Sequence, residues 1–224
     1  MPRIGYTKVL IVENQPLLSR GLVSLIENIP KFTIAGEAAN IEQAIKLAEK
    51  EKPHLVISEI RLGEENGMEL ISRLKSIDQQ MVILILSMLD ERYYSERILR
   101  LGARGYIMKT ASLENVIDAI NTVLAGKVYL SENERERIFQ AMAGDSAQGI
   151  KDWTASLRKL SDRELQVFTL IGKGFGTIEI ATKYNLSTKT IDTHKEHIKI
   201  KLHCNTTQEL RQMAIEWTNN SGAL

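Results

Sequence analysis

The sequence predicts two successive domains of different class: an α/β doubly wound (βα)5 parallel sheet, followed by an all-α four-helix domain of helix-turn-helix type. Three observations predict it. At 224 residues the chain exceeds the usual size of one modest core. Short apolar, β-branched runs alternate five times with segments of helical period in the first half, whereas the second half carries helical period alone. The runs at 8–12 (KVLIV), 55–57 (LVI) and 82–86 (VILIL) are continuous rather than alternating, the mark of strands covered by helices on both faces.

Residues 8–12 form the first strand, and Pro16 with Leu17, Leu18, Leu22, Leu25 and Ile26 at helical spacing opens the first helix. The alternation continues as strand 32–38 with helix 41–49, strand 54–57 with helix 68–77, strand 82–86 with helix 94–101, and strand 105–108 with helix 113–124. Residues 131–143 predict one more helix, with Ser131 as N-cap and Glu134 at the capping-box position. Gly144, Asp145, Ser146, Gln148 and Gly149 then mark a hinge, and Trp153 is expected to anchor the linker. Four short helices follow, over 162–171, 177–184, 188–202 and 208–217, with Ser161 and Ser187 as N-caps and a GlyLysGly turn at 172–174. Tyr184, Asn185, Leu186 and Ser187 join the middle pair through the short turn of a helix-turn-helix. The expected boundaries are 1–126 for the α/β domain, 127–156 for a linker with a helix, and 157–224 for the helical domain.

Composition excludes several classes. With 43% hydrophobic and 25% charged residues, the chain is neither disordered nor a disulfide scaffold, and its apolar runs are far too short to span a membrane. The first eight residues lack the apolar core of a secretory signal, so a cytoplasmic location is expected. Cys204 stands alone, which excludes an internal disulfide and a thiolate zinc cluster. The net charge of +1 divides unevenly. Residues 1–152 hold 19 Lys and Arg against 21 Asp and Glu, and residues 153–224 hold 10 against 7. The basic second half permits contact with nucleic acid phosphates without demonstrating it. His194, His197, His203 and Cys204 make a zinc-like set whose spacing points to different faces, so no metal site is expected. GlyLysGlyPheGly at 172–176 has no preceding strand and reads as a helix-ending turn. No Ser/His/Asp signature supports hydrolysis; an enzyme is not expected.

A doubly wound sheet gathers its functional loops at the C-terminal ends of its strands. There the sequence places Glu13, Asn14 and Gln15, then Ser58 and Glu59, then Ser87, then Lys109. ValGluAsnGlnPro at 12–16, the carboxylate at 59 after ProHisLeuValIleSer, AsnGly at 66–67, Ser87 and GlyTyrIleMetLys at 105–109 together resemble a response-regulator receiver domain over residues 5–126. The resemblance implies a phosphoryl-accepting aspartate at the position of Glu59, and acids at the positions of Glu13 and Asn14 that help to hold Mg²⁺. It further implies that Ser87 and Lys109 bind phosphoryl oxygens, that Tyr106 changes rotamer, and that helix 90–101 with the next strand and helix forms a partner face. Ser87, Tyr106 and Lys109 match; Asn14 and Glu59 depart. One extra methylene moves the carboxylate of Glu59 by about an ångström, a displacement that can cost ~10²-fold in an in-line transfer. Mg²⁺ binding is expected to be weak or absent and no other cofactor is expected. Glu59 is expected to pair with Lys109 and hydrogen-bond Ser87. Such a pocket suits a rigidifying ion pair, a permanently activated-like arrangement, residual phosphorylation or another input.

LeuSerAspArgGlu at 160–164, GluIleAla at 179–181, LeuSerThrLysThrIleAspThrHis at 186–194 and LysIleLysLeu at 199–202 resemble the LuxR-type DNA-binding domain, over residues 157–218. With a receiver in front, this is similar to the NarL/FixJ class of response regulators. The resemblance implies sequence-specific binding of double-stranded DNA as a homodimer, with helix 188–202 in the major groove. Lys189, Thr190, Thr193 and Lys195 match DNA contacts, with Lys199 and Lys201 toward phosphates and Asp192 and His194 in the same region. Asp192 and Glu196 would orient a neighbouring lysine or accept from a cytosine amino group. A sensor kinase or another regulator is a further conceivable partner. Two rivals remain: a phosphorylation-dependent phosphorelay regulator, and an interaction module that sequesters another regulator without touching DNA.

Overall fold

The computed structural model describes residues 6–63, 65–143 and 156–220. The chain divides into two compact units, 1–145 and 146–224. In the first, the strands β1 (Thr7–Val12), β2 (Phe32–Ala38), β3 (Leu55–Ser58), β6 (Val82–Ser87) and β7 (Gly105–Met108) form one sheet in the order β2-β1-β3-β6-β7. Every neighbouring pair is parallel. The helices α1 (Pro16–Glu27), α2 (Ile41–Glu51), α3 (Gly67–Ile77), α4 (Glu91–Arg100) and α5 (Leu113–Leu124) cross between strands. Val9, Ile11, Leu55, Ile57 and Leu84 on one face of the sheet pack with Leu22, Ile26, Val116, Ile120 and Val123, all at most 6% exposed. These are the continuous apolar runs of the sequence, buried because helices lie over both faces.

Register brings the strand ends together. Val12 pairs with Ser58, Ser58 with Ile85, and Ser87 with Met108, so Glu13, Glu59, Ser87 and Lys109 emerge side by side on one edge. A small hairpin absent from the sequence reading, β4 (Arg61–Leu62) with β5 (Glu65–Asn66), carries the chain from Glu59 to α3. Gly67 opens α3 where a Cβ would lie 2.5 Å from the Glu59 carbonyl oxygen, so no other residue fits without moving the backbone that carries Glu59.

Residues 127–143, expected in a linker, instead pack within the first unit. Tyr129 continues the sheet beyond β7: Tyr106 N donates to Tyr129 O and Tyr129 N to Arg104 O, both at 3.0 Å. The helix α6 (Glu132–Ala143) then engages α4 through polar side chains, with Ser95 Oγ donating to Glu134 Oε1 at 2.5 Å and Arg137 Nη2 to Glu96 Oε1 at 2.8 Å. Long-range partners captured a helix whose own sequence shows only weak amphipathicity. The expected hinge at 144–152 and Trp153 lie outside the described residues.

The second unit contains α7 (Asp162–Gly172), α8 (Thr177–Tyr184), α9 (Thr188–Leu202) and α10 (Thr207–Asn220). Ser161 and Glu164 form a reciprocal capping box on α7, and Ser187 Oγ accepts from Thr190 N at 3.1 Å to cap α9. Asn185, at φ 52°, takes the left-handed conformation that turns α8 into α9. Phe168, Ile180, Ile191, Ile198, Leu202, Ala214 and Trp217 fill the core, none more than 4% exposed. Gly172 lets α10 approach: a Cβ there would lie 2.2 Å from Ala214 O.

Candidate functional site

The strand-end crevice of the first unit is closed by its own side chains. The Lys109 ammonium lies 2.7 Å from Glu13 Oε2 and 2.7 Å from Glu59 Oε2, and all three side chains are at most 6% exposed. Glu59 Oε1 accepts from Ile60 N at 2.6 Å, from Arg61 N at 3.1 Å and from the Ser87 hydroxyl through a short bond. Glu13 Oε1 accepts from Gln15 N at 2.9 Å. The Asn14 amide donates to Glu13 Oε1 at 3.3 Å and accepts from Gly63 N at 3.0 Å. Oε1 of Glu13 and of Glu59 thus each accept hydrogen bonds, and their Oε2 atoms both face the Lys109 ammonium at ion-pair distance, so the buried charges are paired.

This donor set does not fit Mg²⁺. A hard divalent cation needs free oxygens, and the two that face each other across the pocket are bridged by an ammonium. Asn14 brings no charge, and its oxygen is turned to a backbone amide. Among the described residues no group of three or more His, Cys, Asp or Glu is arranged to hold a metal. Lys109 and Ser87 both engage the carboxylate of Glu59.

Tyr106 completes the pocket. Its ring is wholly buried, its hydroxyl donates to Leu89 O at 2.6 Å, and burial pushes its phenol well above the usual value, so it stays a neutral donor. Leu89 N in turn donates to Ser87 Oγ at 3.2 Å. The loop after β6 is thus held from two sides by pocket residues.

In the second unit α9 buries Ile191, Ile198 and Leu202 against the core. Lys189, Asp192, Thr193, Glu196, His197 and Ile200 are exposed, while Thr190, His194, Lys195, Lys199 and Lys201 are half-buried. Several expected DNA contacts are engaged inside the unit. Lys201 Nζ donates to Glu164 Oε2 at 2.6 Å, bracing α9 to the capping box of α7, and Lys195 Nζ donates to Thr177 Oγ1 on α8. Burial holds His194 below its usual value; the Glu164 charge opposes this, and the charges of Arg163 and His197 add to it. Lys201 and Lys195 are braces in this structure, and Lys199 pairs with Glu196 at 2.7 Å. His197 and Ile200 are exposed face residues that charge-seeking sequence reading passed over; helical phase relative to Ile191 and Ile198 would have found them.

Residues 9–121 match the model of the response regulator receiver domain, and residues 158–214 match that of bacterial regulatory proteins of the luxR family. The chain is 30% identical over 210 residues to the oxygen regulatory protein NreC of Staphylococcus aureus (strain JH9), covering 93% of this chain and 97% of that one. The chain belongs to the luxR-type response regulators. Its fold is shared by RcsB of Salmonella typhimurium (23% identity, TM-score 0.69, covering 95% of this chain and 98% of that one). It is shared also by RcsB from Salmonella enterica serovar Typhimurium bound to promoter rprA in the presence of the phosphomimetic BeF3− (22% identity, TM-score 0.68, 93% and 98%).

In this response regulator the pocket is wired to α6. From the loop gripped by Ser87 and Tyr106 the chain enters α4, where the Glu91 carboxylate takes both the backbone N–H (3.4 Å) and, through a short bond, the hydroxyl of Ser131 at the start of α6. One turn on, Ser95 and Arg137 hold the buried Glu134. Burial, with Glu134 and Asp90 nearby, raises the Glu91 carboxyl above its usual value, although Ser131 opposes this. No helix among the described residues is long and apolar enough to cross a membrane.

Proposed function

We propose that this response regulator binds double-stranded DNA sequence-specifically as a homodimer in the cytoplasm, and does so without a phosphoryl group or Mg²⁺ in its receiver. It acts by binding and not by catalysis. One observation carries the reading: Glu59, at the acceptor position, already holds Lys109 and Ser87, the cation and the hydroxyl that a phosphoryl group would need. Phosphoryl transfer relies on a correctly placed acceptor oxygen and on metal neutralisation of charge, and this pocket supports neither. The inward, hydrogen-bonded Tyr106 supports a single settled arrangement of the loop between β6 and α4.

DNA binding is supported by the helix-turn-helix of α8 and α9, by the exposed polar face of α9, and by the solved complexes of RcsB with DNA. The test is selection of bound duplexes from a random pool by the untreated full-length protein. Enrichment of a two-fold symmetric site is expected. Failure to enrich any duplex, with enrichment only after phosphate loading, contradicts the reading.

A further inference from the structure

Resting on the DNA-binding reading, we infer that Glu196 is a specificity-determining residue that reads a cytosine amino group in the major groove. Taking Ile191, Ile198 and Leu202 as the buried edge of α9, a turn of 3.6 residues places Lys189, Thr193, Glu196 and Ile200 within roughly 40° of the opposite side. Ile200 is 70% exposed and the Glu196 side chain 63% exposed. This outward stripe contains no arginine, and neither does any other part of α9; Lys189 is its one cation. The usual guanine reader, a bidentate guanidinium on O6 and N7, is missing from the helix.

What the stripe offers instead is an acceptor flanked by methyl groups. A carboxylate only accepts hydrogen bonds. Guanine presents only acceptors in the major groove and thymine an acceptor and a methyl, so both repel it; adenine pairs its one donor with the N7 acceptor beside it, and cytosine presents a donor alone. The carboxylate is also prepared for this use. Lys199, itself only 17% exposed along its side chain, holds Glu196 Oε1 at 2.7 Å, which fixes the group and offsets its repulsion from phosphates, while Oε2 has no partner among the described residues. Thr193 one turn before and Ile200 one turn after supply methyl groups suited to thymine. The face therefore fits a pyrimidine-bearing strand with a cytosine opposite Glu196.

Random-pool selection with the full-length protein and its Glu196→Gln and Glu196→Ala variants tests this. The parent is expected to enrich cytosine at one position of each half-site, favoured on the order of tenfold or more over other bases. Glu196→Gln moves that position to adenine, which the amide matches in two bonds, and Glu196→Ala makes it indifferent; all other positions keep their preference. Variants that enrich the parent's base at every position, with affinity alone changed, overturn the inference. So does loss of all binding by variants that melt like the parent, since one base contact does not carry the phosphate affinity. A parent that enriches no duplex fails earlier, at the DNA-binding reading itself.

Discussion

Replacing Lys109 by methionine keeps an unbranched side chain of similar reach and removes the ammonium that lies 2.7 Å from both Glu13 and Glu59. Breaking a buried ion pair by deleting one partner costs about 3–5 kcal/mol, because the remaining charge is left uncompensated. Here one ammonium serves two carboxylates that are 2% and 6% exposed along their side chains, which places the loss toward the upper end of that range. For a unit of this size it corresponds to a fall in melting temperature of roughly 10–20 °C. The two units can be followed separately. In the sequence both tryptophans follow residue 145, with Trp217 in the core of the second unit, and five of the six tyrosines precede residue 145. Thermal unfolding of Lys109→Met should therefore lower the tyrosine and far-ultraviolet circular dichroism transition while the tryptophan transition stays in place. Adding Glu59→Gln to Lys109→Met should recover more than half of the loss, since one of the two stranded charges is then gone. A loss below about 1 kcal/mol, the value of an exposed pair, would refute the closed ionic pocket.

Three smaller perturbations probe other parts of the account. Tyr106→Phe removes the hydroxyl that donates to Leu89 O and should cost about 1–3 kcal/mol in urea unfolding by leaving that buried carbonyl without its donor. In Glu164, burial works to raise the carboxyl, but the hydrogen bonds from Lys201 and Ser161 outweigh it and hold the group below its usual 4.5. Its stabilising contribution is then full above about 4.5, the unfolded value, and is lost as pH falls through the lower folded value. Tryptophan-monitored urea midpoints of the parent should fall over that window more steeply than those of Glu164→Gln. Lys189→Ala, at the exposed start of α9, should weaken binding evenly across DNA sequences and reduce the slope of log affinity against log salt by about 1.

The residues that specify the fold locally were readable. Continuous apolar runs marked strands covered on both faces, and Ser161, Ser187 and Gly174 marked helix ends that the structure keeps. The pocket was readable because parallel strands leave their last residues on one edge: Glu59 meets Lys109 and Ser87 for reasons of register alone. What the sequence hid depends on contacts between distant residues. Nothing near Ser131 announces that Glu91, 40 residues earlier, will take its hydroxyl, nor that Tyr129 will lengthen the sheet beside β7. On α9, likewise, nothing in the sequence shows that Lys195 and Lys201 engage Thr177 and Glu164, and an exposed isoleucine carries no charge to draw attention to the face it shares with Glu196.

If Glu59 stands in for a phosphoryl group, as proposed, the receiver leaves the output helix competent without one. The most direct measurement treats the full-length protein with acetyl phosphate and Mg²⁺, then records intact mass and affinity for a selected duplex beside an untreated sample. The account predicts an unchanged mass and equal affinities. A stoichiometric phosphate adduct, with the duplex held only by the modified protein, would contradict it.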